Sequence, residues 1–237
     1  MNSTKQTARI AGFLYLMVIG FGVFALMVVR PSLIVPGDAV TTASRIMASE
    51  SLFRIGVVSE LIMYTCFLLL PLPLYVLLKP AGKNLALLMV LFVFVSVPIG
   101  MLNTLNNFAA LSLLSGADYL TVFTAEQLQA QMMHFLNLYD LGYLIGQIFF
   151  GLWLIPLGYL AFKSGYFPKI LGVLVILGGF AQLADTFTSF LFPSYEGIII
   201  TVLGVFGFSE ILFCLWLLGF GVKIQRAQAL QNKILSG

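Results

Sequence analysis

Four carboxylates lie in stretches of this chain that are otherwise apolar enough to cross a membrane: Glu60, Asp140, Asp185 and Glu210. An ionised acid at the centre of a span costs about 3 kcal/mol on insertion scales. Acids inside membrane spans usually pair with other polar groups or line a path for ions or substrate. Each of the four is therefore a candidate functional residue, and the helices that carry them must bring partners to them.

Asp185 belongs to the best-defined polar stripe in the sequence. Gln182, Asp185, Thr186 and Ser189 recur at i, i+3, i+4 and i+7. This spacing places all four on one face of a helix. Because backbone and side-chain polar groups must be satisfied inside a bilayer, we expect other helices to turn polar groups toward this face.

The polar groups are concentrated in the outer halves of the predicted spans. Glu60, Asp140 and Asp185 lie there, and Glu210 is nearer the midplane. The amides follow the same pattern, with Asn103, Asn106 and Asn107 on one face of the third span, Asn137 and Gln147 on the face of Asp140, and His134 close by. A transporter with inverted repeats would place its site at the midplane, so the pattern favours a vestibule that opens to the outside.

Composition fixes the class of protein. Of 237 residues, 60% are hydrophobic and 9% are charged, whereas a soluble domain carries roughly 25% charge. The sequence predicts an all-α, polytopic transmembrane helix protein, one domain over residues 1–237, whose partner is the lipid bilayer. Six stretches have the length of about 20 residues that a bilayer requires: 10–29, 54–78, 85–108, 136–162, 169–192 and 198–222. Basic patches with interleaved aromatics are absent from the sequence, so nucleic acid is not an expected partner, and Cys66 and Cys214 are interpreted as small buried hydrophobes.

The basic residues predict the orientation in the membrane. Nine of the twelve Lys and Arg residues fall in the N-terminus, the turns after spans two and four, and the C-terminal tail; the other side holds Arg30, Arg45 and Arg54. The positive-inside rule then places both termini in the cytoplasm and the protein in the cell membrane. The first span is too long for the apolar region of a signal peptide.

Several local signals predict elements around the spans. Asp38 is an N-cap candidate for an amphipathic helix at the membrane surface within residues 31–53. Thr124 and Gln127 form a capping box that opens a helix over residues 125–162, about 57 Å long. The prolines inside predicted spans should kink them; they are Pro71, Pro73, Pro98 and Pro156. Pro168 fits the first turn of span five. The polar tail 223–237 predicts a short surface helix.

Two patterns concern packing and repetition. Ser59-Glu60-Leu61-Ile62 resembles Ser209-Glu210-Ile211-Leu212, which suggests three hairpins whose return helices each carry one acid. Chance similarity among Leu-rich segments is the alternative. Gly142 and Gly146 form a GxxxG pattern, which favours close helix packing over an oligomer contact.

The sequence resembles a bacterial family, the integral-membrane domain of unknown function 4386. The resemblance rests on residues 8–17 (Ala-Arg-Ile-Ala-Gly-Phe-Leu-Tyr-Leu-Met), the long fourth helix and the Phe-Pro-Lys-Ile-Leu-Gly start of span five. It covers nearly the whole chain and implies a bacterial multi-pass membrane protein. The family supplies no established activity, cofactor or site residues.

The residue types argue against most catalysis and favour binding. A zinc site needs several His or Cys ligands and the sequence offers His134, whereas carboxylates and amides suit a hard cation. We predict a binding or permeation module with an acidic vestibule for a cation, proton or small amine. Ligand contact is assigned to Glu60, Asp140 and Asp185, support to Asn103, Asn106 and Gln182, and a modulating counter-charge to Arg54.

Three alternatives stay open on the sequence. One is an integral membrane enzyme that acts on a lipid-borne substrate with Asp140 and Asp185 as acid and base. Another is a non-catalytic accessory subunit. In the third, the polar groups only hold the helices together by hydrogen bonds.

Overall fold

Most of the described chain is helical, with short loops between the helices. The structure is a computed structural model that describes residues 2–192 and 207–222, and it contains no strand in those two ranges. In chain order the elements are α1 (Asn2–Gly22), a π-helical turn (Val23–Val29), α2 (Arg30–Leu33), α3 (Ala39–Ala48), α4 (Glu50–Leu69), α5 (Pro71–Leu78), α6 (Lys83–Asn103), α7 (Leu105–Leu113), a 3-10 turn (Asp118–Leu120), α8 (Ala125–Ser164), α9 (Lys169–Leu191) and α10 (Phe208–Gly219).

The predicted all-α membrane class is confirmed. Within the described residues, five helical segments are long and apolar enough to cross a membrane: Thr4–Leu33, Glu50–Leu78, Lys83–Leu113, Ala125–Ser164 and Lys169–Leu191. They correspond to the first five predicted spans, each longer than or close to its predicted length. Of the sixth, α10 is described. Residues 198–206 and the tail 223–237 lie outside the described ranges.

The amphipathic segment after the first span forms helix α3 with the predicted cap. The Thr41 backbone N–H donates to Oδ1 of Asp38 at 2.9 Å. The Thr42 hydroxyl accepts from the Val35 N–H at 2.9 Å and donates to the Val35 carbonyl at 3.2 Å, which ties the helix to the preceding loop. Ala43 and Ile46 are fully buried. The helix and its apolar face are confirmed, and its position at the membrane surface stays a prediction.

The long helix α8 begins at the predicted capping box. The Thr124 N–H donates to Oε1 of Gln127 at 2.9 Å, and the Gln127 N–H donates to the Thr124 hydroxyl at 3.3 Å. The two contacts satisfy backbone donors that have no partner inside the helix. The helix runs for 40 residues, or about 60 Å, so it exceeds the membrane thickness as expected.

The prolines inside spans have different consequences. The helix is interrupted at Leu70, between α4 and α5. Pro71 and Pro73, in the first turn of α5, have no N–H to donate. Helices α6 and α8 continue through Pro98 and Pro156. Pro168 lies directly before α9, with extended backbone at its N-cap position.

The residues divide into two compact units. The first comprises Met1–Met17, Cys66–Val97 and Ile145–Gly237, and the second comprises Val18–Thr65 and Pro98–Leu144. The core of the second unit packs α3 and α8 against the end of the first span, through Val29, Leu33, Ala43, Ile46, Phe53, Val57, Ala110, Met132 and Leu136. In the first unit, Phe67 stacks on Phe150 and meets Trp153 edge to face.

Glycines bring α8 and α9 into backbone contact in the first unit. A Cβ added to Gly158 would lie 2.6 Å from the Gly172 carbonyl oxygen, and one added to Gly151 would lie 2.9 Å from that of Gly179. Each pair is reciprocal: a Cβ added to Gly172 would lie 2.7 Å from the Gly158 carbonyl oxygen, and one added to Gly179 would lie 2.8 Å from that of Gly151. Small residues allow this approach between membrane helices.

Of the two glycines in the predicted GxxxG pattern, Gly142 makes a close packing contact and Gly146 does not. A Cβ on Gly142 would overlap the side-chain amide of Asn103, whereas nothing lies within 4 Å of the Cβ position of Gly146.

Candidate functional site

A hydrogen bond between Tyr139 and Glu60 lies at the centre of the second unit. The Tyr139 hydroxyl of α8 donates to Oε1 of Glu60 on α4 at 2.6 Å. Glu60 is 2% exposed and Tyr139 1% exposed. A hydroxyl that donates to a carboxylate forms one of the stronger hydrogen bonds in proteins. The contact therefore gives this intramembrane acid a partner on another helix.

Arg30 adds a positive charge beside this pair. Its Nη2 donates to Oδ1 of Asp140 at 2.6 Å and to the Leu136 carbonyl at 3.2 Å. Its guanidinium carbon lies 4.3 Å from the centroid of the Tyr139 ring, the geometry of a cation–π contact. The Arg30 side chain is 18% exposed and that of Asp140 57% exposed, so the ion pair joins the interior of the unit to its surface.

The π-helical turn Val23–Val29 directly precedes Arg30. A π-helical turn holds more residues than an α-helical one, so it changes the direction in which the following side chains point. Such turns are frequent at functional sites. Here the turn leads into Arg30, which contacts Tyr139, Leu136 and Asp140.

Asn103 connects α6 to the same part of α8. Its Nδ2 donates to the Tyr139 carbonyl at 2.8 Å, and its Oδ1 accepts from Nδ2 of Asn106 at 3.0 Å. Gly142 leaves the space that the Asn103 amide occupies. The structure thus brings together Glu60, Asp140, Asn103 and Asn106, four of the residues selected from the sequence.

A narrow pocket opens beside Glu60 and Tyr139. Its internal volume is about 20 Å³, room for about one water-sized molecule. Arg30 and Asn107 provide the other polar side chains of its lining. Asn107 is 4% exposed, and its Oδ1 has no hydrogen-bond partner among the residues that the structure describes. A buried acceptor without a partner costs about 1–3 kcal/mol. A ligand with a donor hydrogen would remove that cost.

Arg54 is paired within its own helix. Its Nη2 lies 2.6 Å from Oε1 of Glu50, and both side chains are more than half exposed. The i, i+4 spacing places these two side chains on one face of α4. The basic side chain beside Asp140 is that of Arg30, and the modulating counter-charge assigned to Arg54 stays a prediction.

Asp185 and Gln182 lie on α9, in the first unit, where both are partly buried. On the same stripe, the Thr186 hydroxyl donates to the Gln182 carbonyl at 2.9 Å. The interior space that Asp185 is expected to share with Glu60 stays a prediction.

The first unit contains a second carboxylate held by a tyrosine. The Tyr15 hydroxyl of α1 donates to Oε2 of Glu210 on α10 at 2.5 Å. Tyr15 also packs against Trp153 and Phe213, at ring-centroid distances of 5.8 and 6.2 Å. Glu60 and Glu210, the acids of the two similar Ser-Glu segments, therefore make the same kind of contact.

Sequence reasoning missed three members of the polar cluster. Tyr139 and Arg30 have no predicted role at the site, since Arg30 bears only on the topology. Asn107 is predicted only as one of three amides on one face of the third span. One feature of the sequence could have singled out Arg30, because this residue directly follows an apolar span and precedes Pro31. Within residues 2–192 and 207–222, no three His, Cys, Asp or Glu side chains form a group that could hold a metal ion.

Comparison with known proteins gives a family and one relative. The family described as "Domain of unknown function (DUF4386)" matches residues 10–221. An uncharacterized protein of Archaeoglobus fulgidus is 32% identical over 153 residues, which cover 64% of this chain and 74% of that protein. No solved structure matches the chain. The relative is archaeal, and the bacterial source that the sequence resemblance implies stays a prediction.

Proposed function

Because this chain belongs to the DUF4386 family, a family that brings no activity with it, we propose a function from the pocket itself: the binding of a small cation. The ligand is a proton, a small protonated amine or a small metal cation, held by Glu60 and Asn107. The chain is a multi-pass membrane protein, so the proposal concerns a site among membrane-spanning helices.

The charges in the cluster support a cationic ligand. Arg30 pairs with Asp140 at 2.6 Å, so those two charges balance each other. Glu60 accepts one hydrogen bond from Tyr139, and a carboxylate has about four lone-pair positions. Its negative charge and remaining acceptor positions are therefore available to a positively charged ligand.

The observation that carries the proposal is the buried Oδ1 of Asn107. Within residues 2–192 and 207–222 it has no hydrogen-bond partner, and Asn107 lines the same pocket as Glu60. Two acceptor groups with unused capacity in one pocket favour a ligand that brings donor hydrogens or positive charge. An ammonium group or a proton on water meets both requirements, and a bare cation meets the second.

The pocket also supports an outward-facing site in the cell membrane. Arg30, Phe53 and Asn107 line it close to the span ends that adjoin the loops at 34–38 and 114–124. The distribution of Lys and Arg predicts that these loops are on the outer side. With both termini in the cytoplasm, the ligand would enter from outside.

Thermal unfolding of the purified full-length protein in detergent tests the binding proposal. We expect ammonium, methylammonium, Na⁺ or K⁺ to raise the melting temperature, since a ligand at 100 times its Kd stabilises the native state by about 2.7 kcal/mol. Glu60→Gln keeps an acceptor for Tyr139 but removes the charge. It should melt close to wild type and lose the cation-dependent increase. If the ligand is a proton, Glu60→Gln should instead lose a pH-dependent change in melting temperature.

A matched pair of amide variants locates the site. Asn107→Leu should abolish the cation-dependent increase. Gln147→Leu should preserve it, because Oε1 of Gln147 is also buried without a partner but is not part of the pocket lining. Equal loss in both variants, or no effect of any cation or of pH on wild type, would show that the pocket does not bind a cation.

A further inference from the structure

An apolar groove lies on the first unit, among three helices. Its volume is about 540 Å³, and all eight of its lining residues are aliphatic or aromatic. Helix α6 contributes Leu85, Leu88 and Phe92, helix α8 contributes Pro156 and Tyr159 among others, and helix α9 contributes Ile176. The groove belongs to membrane-spanning segments, so the medium next to it is lipid.

Four lysines lie at one end of this groove. Lys83 begins α6, Lys163 is in the last turn of α8, Lys169 begins α9, and Lys79 directly follows α5; all four are exposed. Lys163 Nζ lies 6.0 Å from the ring centroid of Tyr159, which is itself on the groove. The apolar lining and the positive charges therefore adjoin each other.

The distances along the helices match the dimensions of a lipid. The lining residues of α6 come two to nine residues after Lys83, and those of α8 come four to eleven residues before Lys163. At 1.5 Å per residue, the groove extends from about 3 to about 17 Å below the lysines. A phosphate at the lysines would place an acyl chain along that range of depth.

We propose that this groove binds an anionic phospholipid, with one acyl chain between α6, α8 and α9 and the phosphate among Lys79, Lys83, Lys163 and Lys169. Tyr159 is 47% exposed and lies at the rim, where the aromatic ring of a tyrosine is favoured between lipid tails and headgroups. The lysine end is the one that the positive-inside rule places at the cytoplasmic leaflet, which is rich in anionic lipid. This site is independent of the polar pocket near Glu60.

Native mass spectrometry of the full-length protein, with equal amounts of phosphatidylglycerol and phosphatidylcholine, tests the proposal. We expect retention of phosphatidylglycerol over phosphatidylcholine. Lys163→Gln should weaken retention about fivefold, the effect of one lysine near an anionic surface. Arg45→Gln removes one charge from the second unit and should leave retention unchanged. Glycerol phosphate without acyl chains should not compete, because the chain supplies the contact with the groove.

A pair of tryptophan variants on α6 tests the groove directly. Leu88→Trp should fill the groove and reduce phosphatidylglycerol binding, whereas Leu87→Trp changes a neighbouring exposed position that is not in the lining and should not. Thermal unfolding in phosphatidylcholine checks that both variants are folded; if Leu88→Trp is not, Lys163→Gln decides alone. Equal retention of the two lipids by wild type would overturn the proposal. So would equal losses in Lys163→Gln and Arg45→Gln, or in a folded Leu88→Trp and Leu87→Trp, or full competition by glycerol phosphate.

Discussion

Tyrosine hydroxyls are what accommodate two of the intramembrane glutamates. Tyr139 donates to Glu60 at 2.6 Å, and Tyr15 donates to Glu210 at 2.5 Å. An acid inside a span is costly unless a partner satisfies it. A tyrosine supplies the donor together with a large apolar ring that packs among other side chains.

Space for the polar cluster depends on the absence of a side chain at position 142. We predict that Gly142→Ala lowers the free energy of unfolding by about 1–3 kcal/mol, because the new methyl group overlaps the Asn103 amide and forces it away. The bond from Asn103 Nδ2 to the Tyr139 carbonyl would be lost with it. Unfolding titrations in mixed micelles measure the change.

Gly146→Ala is the control for this prediction. It lies one turn further along α8 and has nothing within 4 Å of its Cβ position. The change should be neutral or stabilising by up to about 1 kcal/mol, since Ala favours a helix over Gly. Equal destabilisation by both changes would mean that Asn103 does not depend on the space at Gly142.

At the scale of elements, the contact between α8 and α9 depends on glycines seven residues apart on each helix. Gly151 and Gly158 face Gly179 and Gly172 in antiparallel order. We predict that Gly158→Ala destabilises the protein by about 1–3 kcal/mol, because its methyl group would meet a backbone carbonyl that cannot rotate away. Gly172→Ala should have a similar effect.

Gly20→Ala provides the comparison for the glycine contact. Gly20 is helical and exposed, with open space at its Cβ position. Thermal unfolding in detergent should show a melting temperature at or above that of wild type for Gly20→Ala and below it for the α8–α9 variants. Wild-type stability in Gly158→Ala would show that the helices separate without cost.

The N-cap of α3 gives a pH dependence with a defined sign. Hydrogen bonds from the Thr41 hydroxyl and N–H lower the pKa of Asp38 below its usual range. A carboxyl whose pKa is lowered in the folded state stabilises that state above its unfolded pKa, about 3.9, and the effect is lost as pH falls through the folded value. Asp38→Ala should therefore increase hydrogen exchange in α3 at neutral pH.

The exchange difference between wild type and Asp38→Ala should narrow as the pH is lowered below about 4. Asp38→Asn keeps an oxygen that can accept from Thr41, so it should stay closer to wild type at neutral pH. Mass spectrometry of peptides covering α3 measures the exchange. A difference that is independent of pH would contradict a role for the ionised carboxylate.

For the whole molecule, the main prediction concerns sidedness. The loop at Gly116 and the turn after Ser164 are separated by one helix of membrane-spanning length, α8. We predict that reporter fusions at Ser164 report the cytoplasm and that fusions at Gly116 and Tyr195 report the outside, because the turns after spans two and four carry the lysines. Tyr195 itself lies outside the described residues.

The same side for Gly116 and Ser164 would show that α8 does not cross the membrane. Ser164 and Tyr195 on one side would remove the fifth span instead. Either result would also reverse the side of the membrane that is assigned to the polar pocket or to the lysines at the lipid groove. Fusions at Lys79 serve as a control, since this position should agree with Ser164.

The sequence alone determined the class of protein, the approximate spans and the local features of the helices. The cap at Asp38 and the capping box at Thr124 and Gln127 were predicted and found, because each depends on residues three positions apart. The apolar composition was enough for the membrane class, since few soluble surfaces could be built from 9% charged residues. Glu60, Asp140, Asn103 and Asn106 were selected because polar residues inside spans are rare.

Only the tertiary structure decided which of these residues meet. Arg30 and Asp140 are 110 residues apart in the chain, and Tyr139 and Glu60 are 79 apart. Helical periodicity places residues on a face but does not fix how that helix is rotated against its neighbours. For that reason the sequence could not show that Arg30 contacts Asp140. The glycines of α8 and α9 were missed for the same cause: their spacing of seven becomes meaningful only when the register of the two antiparallel helices is known.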